Sequence, residues 1–260
     1  MHPRLDFSFF EIDLYSALVG LGMLAGLLSA YLYLRLCSRR ASAAGTFLDG
    51  VLLLLAGGWV GARAYHVLMN WEYYQARPEE IAQVGLGGLG IRGAFVVGVV
   101  LAAGYTRWRR ISFGHVADAA AIGLSVGQAI GWAGALAHGA NYGIVSSSQF
   151  AVELPNLYGL VEPRFPVQHL EFALFALLFF ALVGLAARRR APGLLFLGYL
   201  LIASLANVLL GFQRGDETAY LGAVRLDQIV DLALGLSAAS ALAWRRLNAR
   251  QAIARARVAL

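Results

Sequence analysis

At 260 residues, 59% hydrophobic and only 14% charged, with a mean hydropathy of +0.65, the chain is too apolar for a soluble α/β domain of its length. The formal net charge is +6 and all 21 basic residues are arginine, but they are parcelled into loops with no base-stacking aromatics between them. That argues against nucleic-acid binding and for topology and attraction to acidic lipid.

Apolar stretches of about 20 residues, enough to cross a hydrocarbon core of about 30 Å, recur along the chain. They predict seven transmembrane helices, over 14–36, 47–69, 86–106, 116–136, 166–187, 194–212 and 226–244. Backbone polar groups in lipid must be satisfied within the segment, so uninterrupted runs of this length mean helices rather than barrel strands. The expected fold is all-α, a polytopic membrane helix bundle forming a single transmembrane domain over 1–260. No linker and no repeat between the halves is visible.

The first span reads as retained. Its apolar region is too long for a signal, no small-x-small cleavage site follows, and Arg35, Arg39 and Arg40 act as a stop. Cys37 at its end is the one cysteine, so no internal disulfide is possible. Arginines cluster after the odd-numbered spans, as in Arg107, Arg109-Arg110 and Arg188-Arg189-Arg190. Acidic residues gather at the N-terminus and after the even spans, as in Glu72, Glu79, Glu80, Glu153 and Asp216. The positive-inside rule then predicts the N-terminus outside and the C-terminus inside.

Gly22 and Gly26 on the first span, Gly57 and Gly61 on the second, and Gly127 and Gly131 on the fourth each stand four apart. Such pairs let helix backbones approach closely where lipid offers no hydrophobic gain from association. Two outer loops, 70–85 and 137–165, hold most of the polar detail, and Trp71, Tyr73 and Tyr74 in the first suit the headgroup level.

A charged side chain at the centre of a membrane costs about 3 kcal/mol even on the mildest scales, so each one marks a network or a site. Arg63 lies on the second span and Arg92 near the outer end of the third. His138 and Asn141 follow the fourth, Gln168 and Glu171 open the fifth, Asn207 and Arg214 end the sixth, and Asp227, Gln228 and Asp231 open the seventh. Taken singly, each reads as a structural pair or a snorkelling side chain. Together they lie toward one leaflet and predict a cationic, hydrogen-bonding cavity. Guanidinium suits bidentate capture of phosphate, so the expected ligand is an anionic phospholipid headgroup. Asp118, near the inner end of the fourth span, reads as an ion pair or helix-end contact. No metal and no cofactor is expected.

From about Leu52 to Leu236 the chain resembles the bacterial prolipoprotein diacylglyceryl transferases. The passages that carry the resemblance are Gly61-Ala62-Arg63, Gly87-Gly88-Leu89-Gly90-Ile91-Arg92-Gly93, the glycine frame Gly131, Gly134, Gly139 and Gly143, Pro166-Val167-Gln168 with Glu171, Arg214 with Asp216, and Leu226-Asp227-Gln228. The resemblance implies transfer of a diacylglyceryl group from phosphatidylglycerol to the cysteine of a lipoprotein precursor, or a related acceptor, at the bacterial inner membrane. It implies a phospholipid headgroup held by Arg63, Arg92, Arg214, Asn141, Tyr142, Gln168 and Gln228. His138 and Glu171 are the candidates for taking the thiol proton.

Several positions depart from the family pattern. Arg92 stands where a histidine is expected, Trp132 where an arginine is, and Ala135, His138 and Ala140 replace the asparagines and the acid of the signature loop. Asn207 and Gly211 replace an arginine and a glutamate. The alternatives are therefore an inactive descendant that binds phospholipid or a lipoprotein precursor and, from another class, a small-solute transporter.

Overall fold

The computed structural model describes residues 4–7, 10–37, 42–83, 88–188 and 191–258. Arg39, Arg40, Gly87, Arg189 and Arg190, used above for topology and the resemblance, lie outside them. The long helices are α1 (Leu14–Cys37), α2 (Ser42–Met69), α4 (Ile91–Trp108), α5 (Phe113–His138), α6 (Val167–Ala186), α7 (Leu194–Gly211) and α8 (Leu226–Val258). A short helix, α3 (Trp71–Gln75), follows α2.

Among the described residues, six helices, all but α3 and α4, are long and apolar enough to cross a membrane. The expected third span is α4, which starts at Ile91 rather than at 86. Its second residue is Arg92 and Arg107 lies in its last turn, so the uncharged stretch is only 93–106. The last helix does not stop near 244 but continues to Val258. At 1.5 Å per residue its basic end extends well past the apolar part.

Among the described residues three antiparallel hairpins occur that the apolar pattern did not predict: β1–β2 (Arg4–Phe7, Phe10–Asp13), β3–β4 (Val152–Pro155, Val161–Arg164) and β5–β6 (Tyr220–Leu221, Val224–Arg225). They precede α1, join α5 to α6 and join α7 to α8. Each therefore lies at the bundle end that carries the polar residues.

Helix α5 is the axis of the bundle, packing against α1, α4, α6 and α7. Alanines on its surface, Ala117, Ala121 and Ala129, let Phe175 and Leu178 of α6 and Phe196 and Tyr199 of α7 close into one core. On its other side the glycines meet across helices. A Cβ on Gly22 would stand 2.8 Å from the carbonyl oxygen of Gly127, and one on Gly26 would stand 2.8 Å from that of Gly123. Only backbone fits at that separation. A Cβ on Gly61 of α2 would lie 2.7 Å from the Gly93 carbonyl oxygen of α4. Gly131 faces open space, so the contact pair on α5 is Gly123 with Gly127 rather than Gly127 with Gly131.

At the end away from the hairpins, Asp118 accepts the backbone N–H groups of Gly193 (2.7 Å) and Phe196 (2.9 Å). It caps α7, the helix-end contact among the two readings of this residue, and supplies acceptors to N–H groups that no helix can satisfy internally.

Candidate active site

Four helix ends and two loops bring the polar residues together. On α6, which starts just after Pro166, Gln168 and Glu171 are three residues apart and share a face. Asp227 and Asp231 at the start of α8 are four apart and do the same. Helix α5 ends at Gly139 (φ 72°), and Asn141 also takes a left-handed conformation (φ 53°). The chain thereby turns sharply and brings Gly143 into a bridge with Arg214.

Arg92 joins α4 to α8. Its Nε donates to both carboxylate oxygens of Asp231 at 3.2 Å, and its Nη2 donates to one of them at 2.6 Å. Its Nη1 lies 3.2 Å from Asp227, which also accepts the Tyr65 hydroxyl at 2.8 Å. Arg214 is gripped from the opposite side. Its Nε and Nη2 donate to Asp216 at 2.8 and 2.6 Å, and Nη2 also reaches the side-chain oxygen of Asn141 at 2.8 Å. These bonds leave Nη1 to other partners.

Near them Glu171 is 2% exposed, with Gln168 fully buried one turn earlier. Arg214, Asp231 and Arg92 are within electrostatic reach of Glu171. Gln168 donates to the Ala140 carbonyl at 2.8 Å. Oε2 of Glu171 and Oε1 of Gln168 are buried with no hydrogen-bond partner among the described residues. Buried polar atoms normally find partners, so this pair is an exception that leaves two acceptors unengaged side by side on α6.

Gln228 holds the floor of the site, accepting the Arg225 backbone N–H at 3.1 Å and donating to the Val208 carbonyl at 2.8 Å. The Tyr142 ring lies under the Arg164 guanidinium, 4.7 Å from its centroid. Burial pushes the Tyr142 phenol up from its ordinary pKa, with Arg164 opposing. Of the signature glycines, Gly134 packs on Tyr15 and Leu18, Gly139 faces the Asn156 carbonyl and Gly143 faces that of Phe165. Those three are frame, and Gly131 contacts nothing nearby.

Two expected members stand apart. Arg63 points into the loop after α3, donating to the carbonyls of Ile81 (2.8 Å), Glu80 (2.6 Å) and Gly88 (3.1 Å), with its guanidinium 5.2 Å from the Tyr74 ring centroid. His138 stacks on Tyr15 at 5.1 Å, 3.8 Å from Asp13. It lines a separate small cavity of about 110 Å³ shared with the β3–β4 turn at 155–159.

The expected cationic cavity is thus a set of ion pairs, because an arginine taken out of water needs a carboxylate beside it. Of the carboxylates that pair, Asp227 and Asp231 stood in the sequence-predicted polar set without an assigned partner and Asp216 only in the resemblance, while Arg164 and Arg225 were given no site role. The i,i+4 spacing of Asp227 and Asp231 was the available signal. Burial alone would raise Asp216, but the Arg214 hydrogen bond and charge, with the charge of Arg225, hold its carboxyl below the usual range. No group of three or more His, Cys, Asp or Glu able to hold a metal ion occurs among the described residues.

Comparison with known proteins matches residues 4–244 to the family model described as prolipoprotein diacylglyceryl transferase. A protein of Bacillus licheniformis named phosphatidylglycerol–prolipoprotein diacylglyceryl transferase is 31% identical over 250 residues, covering 91% of this chain and 89% of that protein. One of the same name from Geobacillus kaustophilus is 34% identical over 229 residues (85% and 83%), and one from Finegoldia magna is 28% identical over 234 (89% and 91%).

Proposed function

The chain belongs to the prolipoprotein diacylglyceryl transferase family, and on that premise we propose that it transfers a diacylglyceryl group from phosphatidylglycerol to the cysteine of a lipoprotein precursor or a related acceptor. It is a multi-pass membrane protein. We place it in the bacterial cytoplasmic membrane, N-terminus out and C-terminus in, with the site open to the outer leaflet.

One observation carries the assignment of roles: Glu171 is buried within electrostatic reach of Arg92 and Arg214, and its Oε2 has no hydrogen-bond partner among the described residues. Thiolate rather than thiol is the nucleophile, and Glu171 takes the proton. The sulfur then forms a bond to the glyceryl carbon that bears the phosphate ester. The carbon–oxygen bond breaks, and glycerol phosphate leaves with the electron pair. Its phosphate is met by Nη1 of Arg214, with the charge of Arg92 behind it, in the manner of fixed cations awaiting developing charge. Asn141 aims Arg214, while Tyr142 and Gln168 frame the headgroup and Gln228 holds the α7–α8 corner. Arg63 fixes the loop that leads into Arg92. His138, in its own pocket, is the reserve candidate for the base.

A second reading has its own support. All three nitrogens of Arg92 are engaged by Asp227 and Asp231, and Trp132, Ala135, Asn207 and Gly211 depart from the family pattern. A descendant that holds phospholipid or precursor without turnover would look like this.

Purified protein in phosphatidylglycerol vesicles, given a lipobox peptide, separates the two. Transfer raises the peptide mass by one diacylglyceryl group. An unshifted peptide, with another member of the family active alongside, overturns the transferase reading in favour of a binder.

A further inference from the structure

Arg225 has no role in the reading above, yet it is among the most deeply buried charges of the molecule, 2% exposed. It closes the β5–β6 hairpin, pairing with Tyr220, just before α8 begins. Its Nη2 donates to the Asp216 carboxylate at 3.1 Å and its Nη1 to the Asp216 carbonyl at 3.0 Å. Asp216 is the residue whose two oxygens clamp Nε and Nη2 of Arg214. Oδ2 of Asp216 is shared by both guanidiniums.

That sharing has an electrostatic consequence. Asp216 is well placed to aim Arg214, but a full carboxylate bonded to a guanidinium cancels the charge that would attract a phosphate. A second buried guanidinium on the same carboxylate leaves the three groups with a net positive charge. Nη1 of Arg214 is the nitrogen that no bond to the described residues uses. The Nε of Arg225 is buried with no hydrogen-bond partner among the described residues, so the residue is not there for a full set of hydrogen bonds.

We propose that Arg225 is a positioning residue for phosphate capture: it offsets the Asp216 carboxylate, so that Asp216 can hold Arg214 in place without neutralising it toward an anionic headgroup. This rests on the reading of Arg214 as the phosphate contact. It adds that affinity for the lipid depends on a residue that does not touch it.

Binding of short-chain phosphatidylglycerol to the full-length protein in detergent, followed by calorimetry with no acceptor present, tests this without requiring turnover. Arg225→Gln is expected to weaken binding by about tenfold, equivalent to about 1.4 kcal/mol, with an unchanged circular dichroism spectrum. Arg225→Lys, which keeps the charge, is expected within about threefold of wild type, or about 0.65 kcal/mol. The double variant Asp216→Asn/Arg225→Gln, which removes both charges of the pair, is expected to bind more tightly than Arg225→Gln but below wild type, because one of the two oxygens that hold Arg214 is gone. A purely structural arginine would give a double variant no better than Arg225→Gln, and that result overturns the proposal. So does wild-type affinity in Arg225→Gln. Should that variant not fold, Arg225→Lys decides: it keeps the positive charge beside Asp216 and gives up the guanidinium hydrogen bonds, so binding stays within about threefold of wild type, and a loss of about tenfold overturns the proposal. Absence of phosphatidylglycerol binding by wild type overturns the reading of the site and this inference with it. Wild-type binding with no effect at Arg225 overturns the inference alone.

Discussion

Arg63 donates to the partly buried carbonyls of Glu80, Ile81 and Gly88, and losing a hydrogen bond of this kind costs about 1 kcal/mol. Arg63→Ala is therefore expected to loosen the 71–83 segment, read as faster limited proteolysis there and a lower melting temperature; unchanged cleavage would contradict the pinning role. Glu171→Gln keeps the volume but cannot take a proton. Loss of a general base typically costs at least about 100-fold in rate, and here it should leave phosphatidylglycerol binding within a few-fold. Asp216 gives a pH signature. Its carboxyl is held below the usual range by Arg214 and Arg225, against the opposing effect of burial, so the folded value lies under the unfolded value of about 3.9. Its contribution to stability is then fully present above about pH 4 and is lost only as pH falls through the folded-state value. Amide hydrogen exchange of the segment between α7 and α8, corrected for the intrinsic rate, should show constant protection from about pH 7 to about pH 5. Loss of protection within that range would contradict the clamp. At this scale the sequence was partly informative. Arg92, Arg214, Gln168 and Glu171 stand out as polar residues in apolar surroundings. What each touches did not show, because a pair such as Arg92 with Asp231 spans 139 residues and no local spacing encodes it.

Helices were the most legible level, since each apolar run had to satisfy its own backbone in lipid. Their ends were less so. Helix α4 starts at Ile91, after Gly88 with φ 81° and Gly90, residues that an apolar count reads as continuous with the span. The continuation of α8 to Val258 was hidden because hydropathy falls where the helix goes on. The hairpins β3–β4 and β5–β6 are short two-stranded pairs without a long alternating pattern. Glycine spacing was informative about packing and wrong by one turn about partners on α5. A Cβ on Gly123 would stand 2.5 Å from the Gly26 carbonyl oxygen, so Gly123→Val should force α1 from α5 and lower the melting temperature in detergent by several degrees, overpacking costing about 1–3 kcal/mol. Gly131→Ala, with open space around it, should melt as wild type does. Equal melting of the two variants would contradict the assigned interface.

In the whole molecule, the hairpins, α3 and the paired charges of the site lie at one bundle end, while the other end is tied by short contacts such as the Asp118 cap on α7 and the Arg109–Asp49 pair. The sequence carried that asymmetry in its alternation of arginine-rich and acid-rich loops. It did not carry the charge balance of the site, where Asp216, Asp227 and Asp231 convert a cluster of cations into ion pairs around one buried glutamate. Membership of the transferase family sets the frame, and the role of Glu171 is a matter of chemistry. The most direct measurement follows both products together, using phosphatidylglycerol labelled in its headgroup glycerol and a lipobox peptide. The expected result is one labelled glycerol phosphate released for each peptide that gains a diacylglyceryl group, with neither product from Glu171→Gln. Labelled lipid retained by the wild-type protein with no release, or release with an unmodified peptide, would contradict it.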